Sequence, residues 1–499
     1  MQNTNLEQDF LLFLKEIQGY KEALALMEWD SRTISPANAL ESKADVIGFF
    51  STKIHKLSTS KKMGDFLKEL KEKSNNDLLQ EIIRVCEEDY SRSSKIPAEE
   101  YQEFVTLQSK AEIAWQEARN KNDFSILAPY LQKLVDFNKQ FANYWGYEDQ
   151  PYDALLHEFE PGMTTKKLDA IFSKLKKDLV ALITEIKHST KDNHTFSLNE
   201  SFEKNEQNDF IVYTLKKMGY DFNRGRIDET IHPFEITINP DDVRITTRYD
   251  ESDFRMALFS TIHEAGHALY EQNIDKKYAN TPVFDGASMG IHESQSLFWE
   301  NFIGRHPLFW KNNRDDFLRN APKSFKTVSF DDFYKQINEV KASFIRIEAD
   351  ELTYCLHIIL RYEIEIALIN EELKVEEIPK LWNDKMEAYL GIRPKNDLEG
   401  VLQDIHWATG DFGYFPTYAL GYMYAAQLYQ KASEEIKIEE LIEENDLIQI
   451  KAWLSENVHR FGRSKRPLEL IEAISGEGLN PDYLTQYLRA KYGELYGLS

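Results

Sequence analysis

The stretch Met256 to Gln272, MALFSTIHEAGHALYEQ, carries apolar residues at helical spacing and contains no proline. Leu258, Ile262, Ala265 and Leu269 form one stripe, and Phe259, His263, Gly266, His267 and Tyr270 form the row beside it. Positions three and four apart share a helix face. The segment therefore predicts a core helix whose histidines stand at its edge, facing a cleft. Gly266 is out of place there, since glycine costs about 1 kcal/mol relative to alanine inside a helix. Close approach of another element at that point would account for it.

His263 and His267 stand one helical turn apart, so both imidazoles reach a single metal ion. Glu264 follows the first histidine and is placed to take a proton from a water activated at that ion. Two histidines at this spacing also occur as an ordinary polar row, but the apolar surroundings argue for a site. A catalytic metal takes three protein ligands and keeps one position open. Downstream stands Ser288-Met289-Gly290-Ile291-His292-Glu293-Ser294-Gln295. Glu293 follows His267 by enough chain for a loop and a return helix. His292 is a rival ligand, and Asp285 and Glu300 are weaker candidates. Chemistry alone leaves Glu293 and His292 open.

The chain has 499 residues, with 60 Lys+Arg against 84 Asp+Glu and a formal charge of −24. Such a surface repels nucleic acid and anionic membranes. A 42% hydrophobic content with only 21 Gly and 15 Pro fits a globular, helix-rich protein. The two cysteines, Cys86 and Cys355, exclude a disulfide framework and fit a reducing compartment. Met1 to Lys15 has no basic segment ahead of its apolar run, unlike a signal peptide. No apolar stretch is long enough to span a bilayer. The expectation is a soluble cytoplasmic protein.

Residues 1–150 read as successive amphipathic helices, beginning with Phe10, Phe13, Leu14 and Ile17, and predict a helical N-terminal lobe or lid. Trp29 to Pro36 breaks the first helical stretch. Residues 151–228 continue as helices, with a polar loop around His188 to Ser201. From residue 229 the pattern changes: Phe234 to Ile238 alternates, Asn239-Pro240-Asp241 supplies a turn, and Val243 to Tyr249 alternates again. This predicts a β-hairpin immediately before the 256–272 helix. Asp242, Arg244 and Thr246 share one strand face, from which an arginine can meet a substrate carboxylate. Ile345 to Asp350 opens a long helical pattern in which Arg346 and Asp350 can pair. Gly400 to Trp407 precedes Phe412, Tyr414, Phe415, Tyr418 and Tyr422, where a His or Tyr donor could stabilise an oxyanion. No linker or repeat divides the chain. Residues 1–499 are expected to form one catalytic unit, with 229–424 supplying the metal-site and groove segments.

Together these segments closely resemble the thermostable, Taq-type metallocarboxypeptidases. His232-Pro233-Phe234 matches H-P-F, and Asp242 to Thr246 matches D-x-R-x-T. His263 to His267 matches H-E-x-x-H, and His292 to Gln295 matches H-E-S/G-Q. Ile345 to Asp350 matches I/L-R-x-x-A-D, and Gly400 to Trp407 matches G-x-x-Q-D-x-H-W. The resemblance covers essentially the full length and is far more specific than one H-E-x-x-H. It departs at Leu297, where many relatives carry Arg, and at Ile34, where Met is common.

The resemblance implies a mainly α fold, a large helical two-lobed body around a deep groove, related to oligopeptidases and angiotensin-converting enzymes. It makes Glu293 the third ligand of a Zn2+ ion, with Co2+ as a possible substitute, and Glu264 the catalytic base. It implies release of single C-terminal amino acids with broad specificity, poor activity toward C-terminal proline, and a homodimer. Arg244, Arg346, His406, Tyr418 and His232 become substrate-binding candidates, with neither arginine assigned its role. Two other readings compete: a zinc endo-oligopeptidase on the same scaffold, and a non-catalytic peptide-binding protein with structural zinc. The intact Glu264 argues against the latter, and structural zinc is usually closed by four protein ligands.

Overall fold

The computed structural model describes residues 2–189, 198 and 200–498. Most of the polar loop expected at His188 to Ser201 therefore lies outside the described residues. The N-terminal region is a succession of helices, from Gln2–Thr33 through Ala128–Trp145. Phe10, Phe13, Leu14 and Ile17 are all buried. Phe10 and Phe13 both pack on Phe66, at 5.5 and 5.8 Å between ring centroids. Phe10 and Tyr492, near opposite ends of the chain, belong to one continuous buried cluster.

The first helix runs past the break expected at Trp29 and ends only at Thr33. Trp29 is buried and meets Phe234 edge-on at 5.6 Å, so tertiary packing holds the helix through it. The Ser31 and Thr33 hydroxyls bond back to the Met27 and Trp29 carbonyls, and Pro36 lies just beyond. The helix thereby lies against the sheet.

The expected hairpin is present as β2 (Glu235–Asn239) and β3 (Asp242–Thr247), paired antiparallel with Thr237 opposite Val243. The turn is fixed by the Asn239 side chain, which accepts the Asp241 N–H at 2.9 Å. A third strand, β1 (Ile227–Glu229), pairs parallel with β3 and makes the order β1-β3-β2. Three residues are too few to show alternation, so this strand was not legible in the sequence. Val243 and Ile245 are fully buried, as period two requires.

The Phe254–Gln272 helix starts at Asp253, whose carboxylate accepts the Arg255 N–H. Its Thr261 hydroxyl bonds to Thr247 at 2.6 Å and ties it to β3. Its neighbour is the Met289–Leu297 helix, capped by the Ser288 hydroxyl accepting from the Ile291 N–H at 3.0 Å. A Cβ on Gly266 would stand 2.5 Å from the Ser296 Cα, which is the close approach the glycine predicted. Buried Glu160 accepts the Gly290 N–H (3.1 Å) and the Tyr424 hydroxyl (2.8 Å), and so links this helix to Pro416–Ile436.

Residues 345–350 do not open a long helix. Arg346–Glu348 is a single 3-10 turn, and the helix begins at Tyr354. Asp350 does not pair with Arg346. Its carboxylate accepts the N–H groups of Leu352, Thr353 and Lys341. Arg346 instead reaches Asp404 at 2.9 Å. Burial favours this, because each charged group takes the nearest partner that satisfies it.

A groove runs between the N-terminal helices and the rest of the body. It comprises cavities of about 840 and 350 Å³, both bordered by Gln18, Lys21, Asn280, Pro282 and Arg463. The smaller one reaches β2, Glu271 and His292. Among the described residues, no helix is long and apolar enough to cross a membrane.

Candidate active site

His263, His267 and Glu293 converge, with one donor atom from each lying within 4.8 Å of the others. The Glu293 carboxylate oxygen Oε2 stands 3.6 Å from His263 Nε2 and 3.5 Å from His267 Nε2. Both imidazoles thus turn Nε2 inward and Nδ1 outward. His263 Nδ1 meets Glu300 at 2.9 Å, and Glu300 is paired with Arg305 at 3.2 Å. His267 Nδ1 meets His292 Nδ1 at 2.5 Å. Gly421 of the Pro416–Ile436 helix makes room for Glu293, since a Cβ there would be 2.7 Å from the Glu293 Cβ and Cγ.

The other ligand candidates lie elsewhere. His292 stands behind His267 with its Nε2 3.1 Å from Glu271, and Glu300 stands behind His263. Asp285 bonds to the Gly286 N–H and borders the smaller cavity.

The donor set fits a divalent cation. Burial pushes His267 down to about 3, so its ring is neutral at neutral pH. Burial alone would lower His263, yet Glu293 and Glu300 hold it well above the ordinary imidazole range. Burial would likewise raise Glu293, but His263 and His267 hold it well below the usual carboxylate range. Two carboxylates pressed on one imidazole draw positive charge to this point. Glu264 is buried beside them, and burial pushes its carboxyl up to about 7, opposed by His263 and supported by Glu293.

A second polar group is built around His406. His406 Nε2 and the Tyr418 hydroxyl are 3.1 Å apart. Burial pushes His406 down to about 4, leaving a neutral ring. Burial raises the Tyr354, Tyr414 and Tyr418 hydroxyls above the ordinary phenol value, and the negative charge of Glu293 adds to the shift, so the three lie within electrostatic reach of the donor group. Arg346 lies 4.8 Å over the Tyr418 ring and is fixed by Asp404, which also binds Arg361 Nε at 2.7 Å. Gln403 accepts from the Arg346 backbone N–H and from Arg361, each at 2.8 Å.

Arg244 lies on β3, donating from Nε and Nη2 to the two Asp242 carboxylate oxygens at 2.8 and 2.7 Å, and 5.4 Å over the Trp29 ring. Its partner is on the same strand face, as the alternation predicts. His232 is exposed on the loop between β1 and β2 and is not part of the metal-donor group. Sequence reasoning did not single out Glu271, Asp404, Arg361 or Tyr354. Glu271 had a usable signal, since it stands one turn after His267. Asp404 had none beyond its motif, because its partners are distant in sequence.

Two histidines one turn apart, a glutamate from a neighbouring helix and a buried second carboxylate, in a helical body, define a metallopeptidase. The chain belongs to the carboxypeptidase Taq (M32) metallopeptidase family, whose model matches residues 9–492. It is 51% identical to Carboxypeptidase 1 of Bacillus subtilis over 493 residues, 98% of each chain. It is 38% identical to Thermostable carboxypeptidase 1 of Thermus thermophilus, covering 98% of this chain and 99% of that one. The crystal structure of the M32 carboxypeptidase from Deinococcus radiodurans R1 superposes with a TM-score of 0.96 at 37% identity. That match covers 99% of this chain and all (100%) of the other.

Proposed function

We propose that this metallocarboxypeptidase releases single amino acids from peptide C-termini at a zinc ion held by His263, His267 and Glu293. The observation that carries the reading is the convergence of both Nε2 atoms on Glu293 Oε2, with both Nδ1 atoms turned outward. Two imidazoles and one carboxylate are a donor set suited to catalytic zinc, and cobalt accepts the same ligands. A divalent ion there supplies Lewis acidity, polarising the scissile carbonyl and making the attacking water acidic near neutral pH.

The chain's own residues do the rest. Glu264 takes a proton from the attacking water and returns it to the leaving amine. The Tyr418 hydroxyl, ordered by His406, donates to the oxygen that gains charge in the transition state. β2 is one of the two edge strands of the sheet, along which an extended substrate backbone pairs. Arg244 or Arg346 pairs with the terminal carboxylate and makes the enzyme an exopeptidase.

The resemblance to the family supports broad specificity, poor release of proline and a homodimer. Two buried, unpaired cysteines support a reducing, cytoplasmic location. The 1–499 chain acts as one unit in this reading, with residues 1–150 as the lobe that covers the groove.

Mass spectrometry of a peptide mixture, with and without zinc, tests the proposal. The expected result is zinc-dependent, stepwise loss of C-terminal residues and no cleavage of C-terminally amidated peptides. Internal cuts, or cleavage of amidated peptides, would overturn it in favour of an endo-oligopeptidase.

A further inference from the structure

The two histidines of the metal-donor group are supported from behind in different ways. His263 Nδ1 has a carboxylate directly, Glu300 at 2.9 Å. His267 Nδ1 has another imidazole, His292 Nδ1 at 2.5 Å, whose far nitrogen stands 3.1 Å from Glu271. His292 is closely confined. A Cβ on Gly286 would be 2.7 Å from its Cδ2, and the Tyr270 ring lies 5.4 Å away. The Tyr270 hydroxyl in turn accepts the Ala287 N–H at 3.0 Å, pinning the loop that confines the ring. Glu271 is only 3% exposed, and a carboxylate so buried needs a partner to repay its lost hydration.

We infer that His292 and Glu271 are positioning residues that fix the tautomer and tilt of His267, acting as an imidazole–carboxylate relay where His263 uses a carboxylate alone. The hydrogen placement follows from the donor inventory. For His267 to offer a bare Nε2 lone pair to a metal, its Nδ1 must carry the hydrogen. With a metal on His267, His292 Nδ1 must then accept, so metal binding selects the neutral His292 with its hydrogen on Nε2, and Glu271 accepts it. Each of the four atoms has one role, and reversing any hydrogen breaks the chain at the next contact. Such outer partners orient metal-binding imidazoles and typically contribute about 10–100-fold in metal affinity. The relay also accounts for His292 standing next to Glu293 without facing the donor group.

The inference rests on the proposed ligand set, and the test separates the two. Zinc affinity is measured by competition with a chelator on the full-length protein, with Co2+ absorption as a second readout. His292→Leu removes the acceptor and should weaken zinc about 10–100-fold and shift the cobalt bands. Glu271→Ala frees the His292 hydrogen to move and should weaken zinc in the same direction. His292→Asn places an oxygen near the former Nδ1 and should recover most of the affinity. Thermal melting of the metal-free variants establishes that they fold; if His292→Leu does not, Glu271→Ala and His292→Asn carry the test. Zinc affinity and cobalt spectrum unchanged in Glu271→Ala, or in a folded His292→Leu, would overturn the relay. Failure of the ligand set itself has a different signature: His263→Ala and His267→Ala would then bind zinc as the unaltered protein does.

Discussion

Gly266 lies against the backbone of Ser296, so that a Cβ added to it would stand 2.5 Å from the Ser296 Cα and 2.6 Å from the neighbouring Gln295 carbonyl oxygen. Neither obstacle can rotate aside as a side chain would. Gly266 immediately precedes His267, and Ser296 is one turn after Glu293. Their contact therefore sets the distance between the helices that carry the candidate metal donors. Alanine at position 266 would gain about 1 kcal/mol of helix propensity. It would lose more by forcing the helices apart, since overpacking of this kind costs about 1–3 kcal/mol or more. Gly266→Ala is expected to melt at a lower temperature and to bind zinc more weakly. A melting temperature at or above that of the unaltered protein would show that the helices have slack here.

Glu264 is buried beside His263 but directs no donor into the metal group. Glu264→Gln keeps its size and removes its ability to carry a proton. Turnover should fall by about 10²–10⁴ or more, while zinc stoichiometry and peptide affinity remain. Single-turnover hydrolysis and equilibrium dialysis measure the two separately, and near-normal hydrolysis would remove Glu264 from the reaction.

How much of this could be read from the chain depends on whether a residue's partner is local. His263, Glu264 and His267 lie within one helical turn, and Gly266 marks its own neighbour by being costly there. The β2–β3 hairpin shows itself by alternation and by the Asn239-Pro240-Asp241 turn. The ordering of His292 and Glu293 could not be read from spacing. Adjacent residues point about 100° apart on a helix, and only the packing of Gly421 on Glu293 and Gly286 on His292 decides which faces the donors. Arg346 was paired with Asp350 on the assumption of a helix. The backbone there is a short turn, Asp350 serves main-chain N–H groups, and Arg346 reaches Asp404 across the fold.

Arg244 provides a test of C-terminal recognition. Its guanidinium is only partly buried and is held by Asp242 on the same strand. Truncating it removes a two-point ion pair and a contact with Trp29, and should cost about 0.5–3 kcal/mol of stability, which leaves the protein folded. Losing a charged hydrogen bond to substrate costs about 1.5–3 kcal/mol, or roughly 10–150-fold in kcat/KM. Arg244→Ala is thus expected to fold normally and to lose activity chiefly through KM. An unchanged KM on peptides with a free C-terminus would leave Arg346 as the carboxylate-binding arginine.

Asp404 gives the fold an acid-sensitive point. It lies between two buried guanidinium groups, binding Arg346 at 2.9 Å and Arg361 Nε at 2.7 Å. Burial would raise its carboxyl, but Arg361 and Arg346 hold it well below the ordinary value of 3.8. A depressed carboxylate is stabilising wherever it is ionised in both states. As pH falls below about 4 the unfolded chain takes up its proton first, so this stabilisation is complete above that pH and is lost below it. Asp404→Asn removes the charge at every pH and leaves Arg361 fully buried beside a neutral group, a class of change that costs about 3–5 kcal/mol. Denaturant midpoints measured from about pH 6 to pH 3 should show a large gap between the unaltered protein and Asp404→Asn that narrows on acidification. All other carboxylates are common to both proteins and cancel in that difference. A gap that stayed constant down to about pH 3 would mean that Asp404 is not the group whose ionisation holds the two arginines.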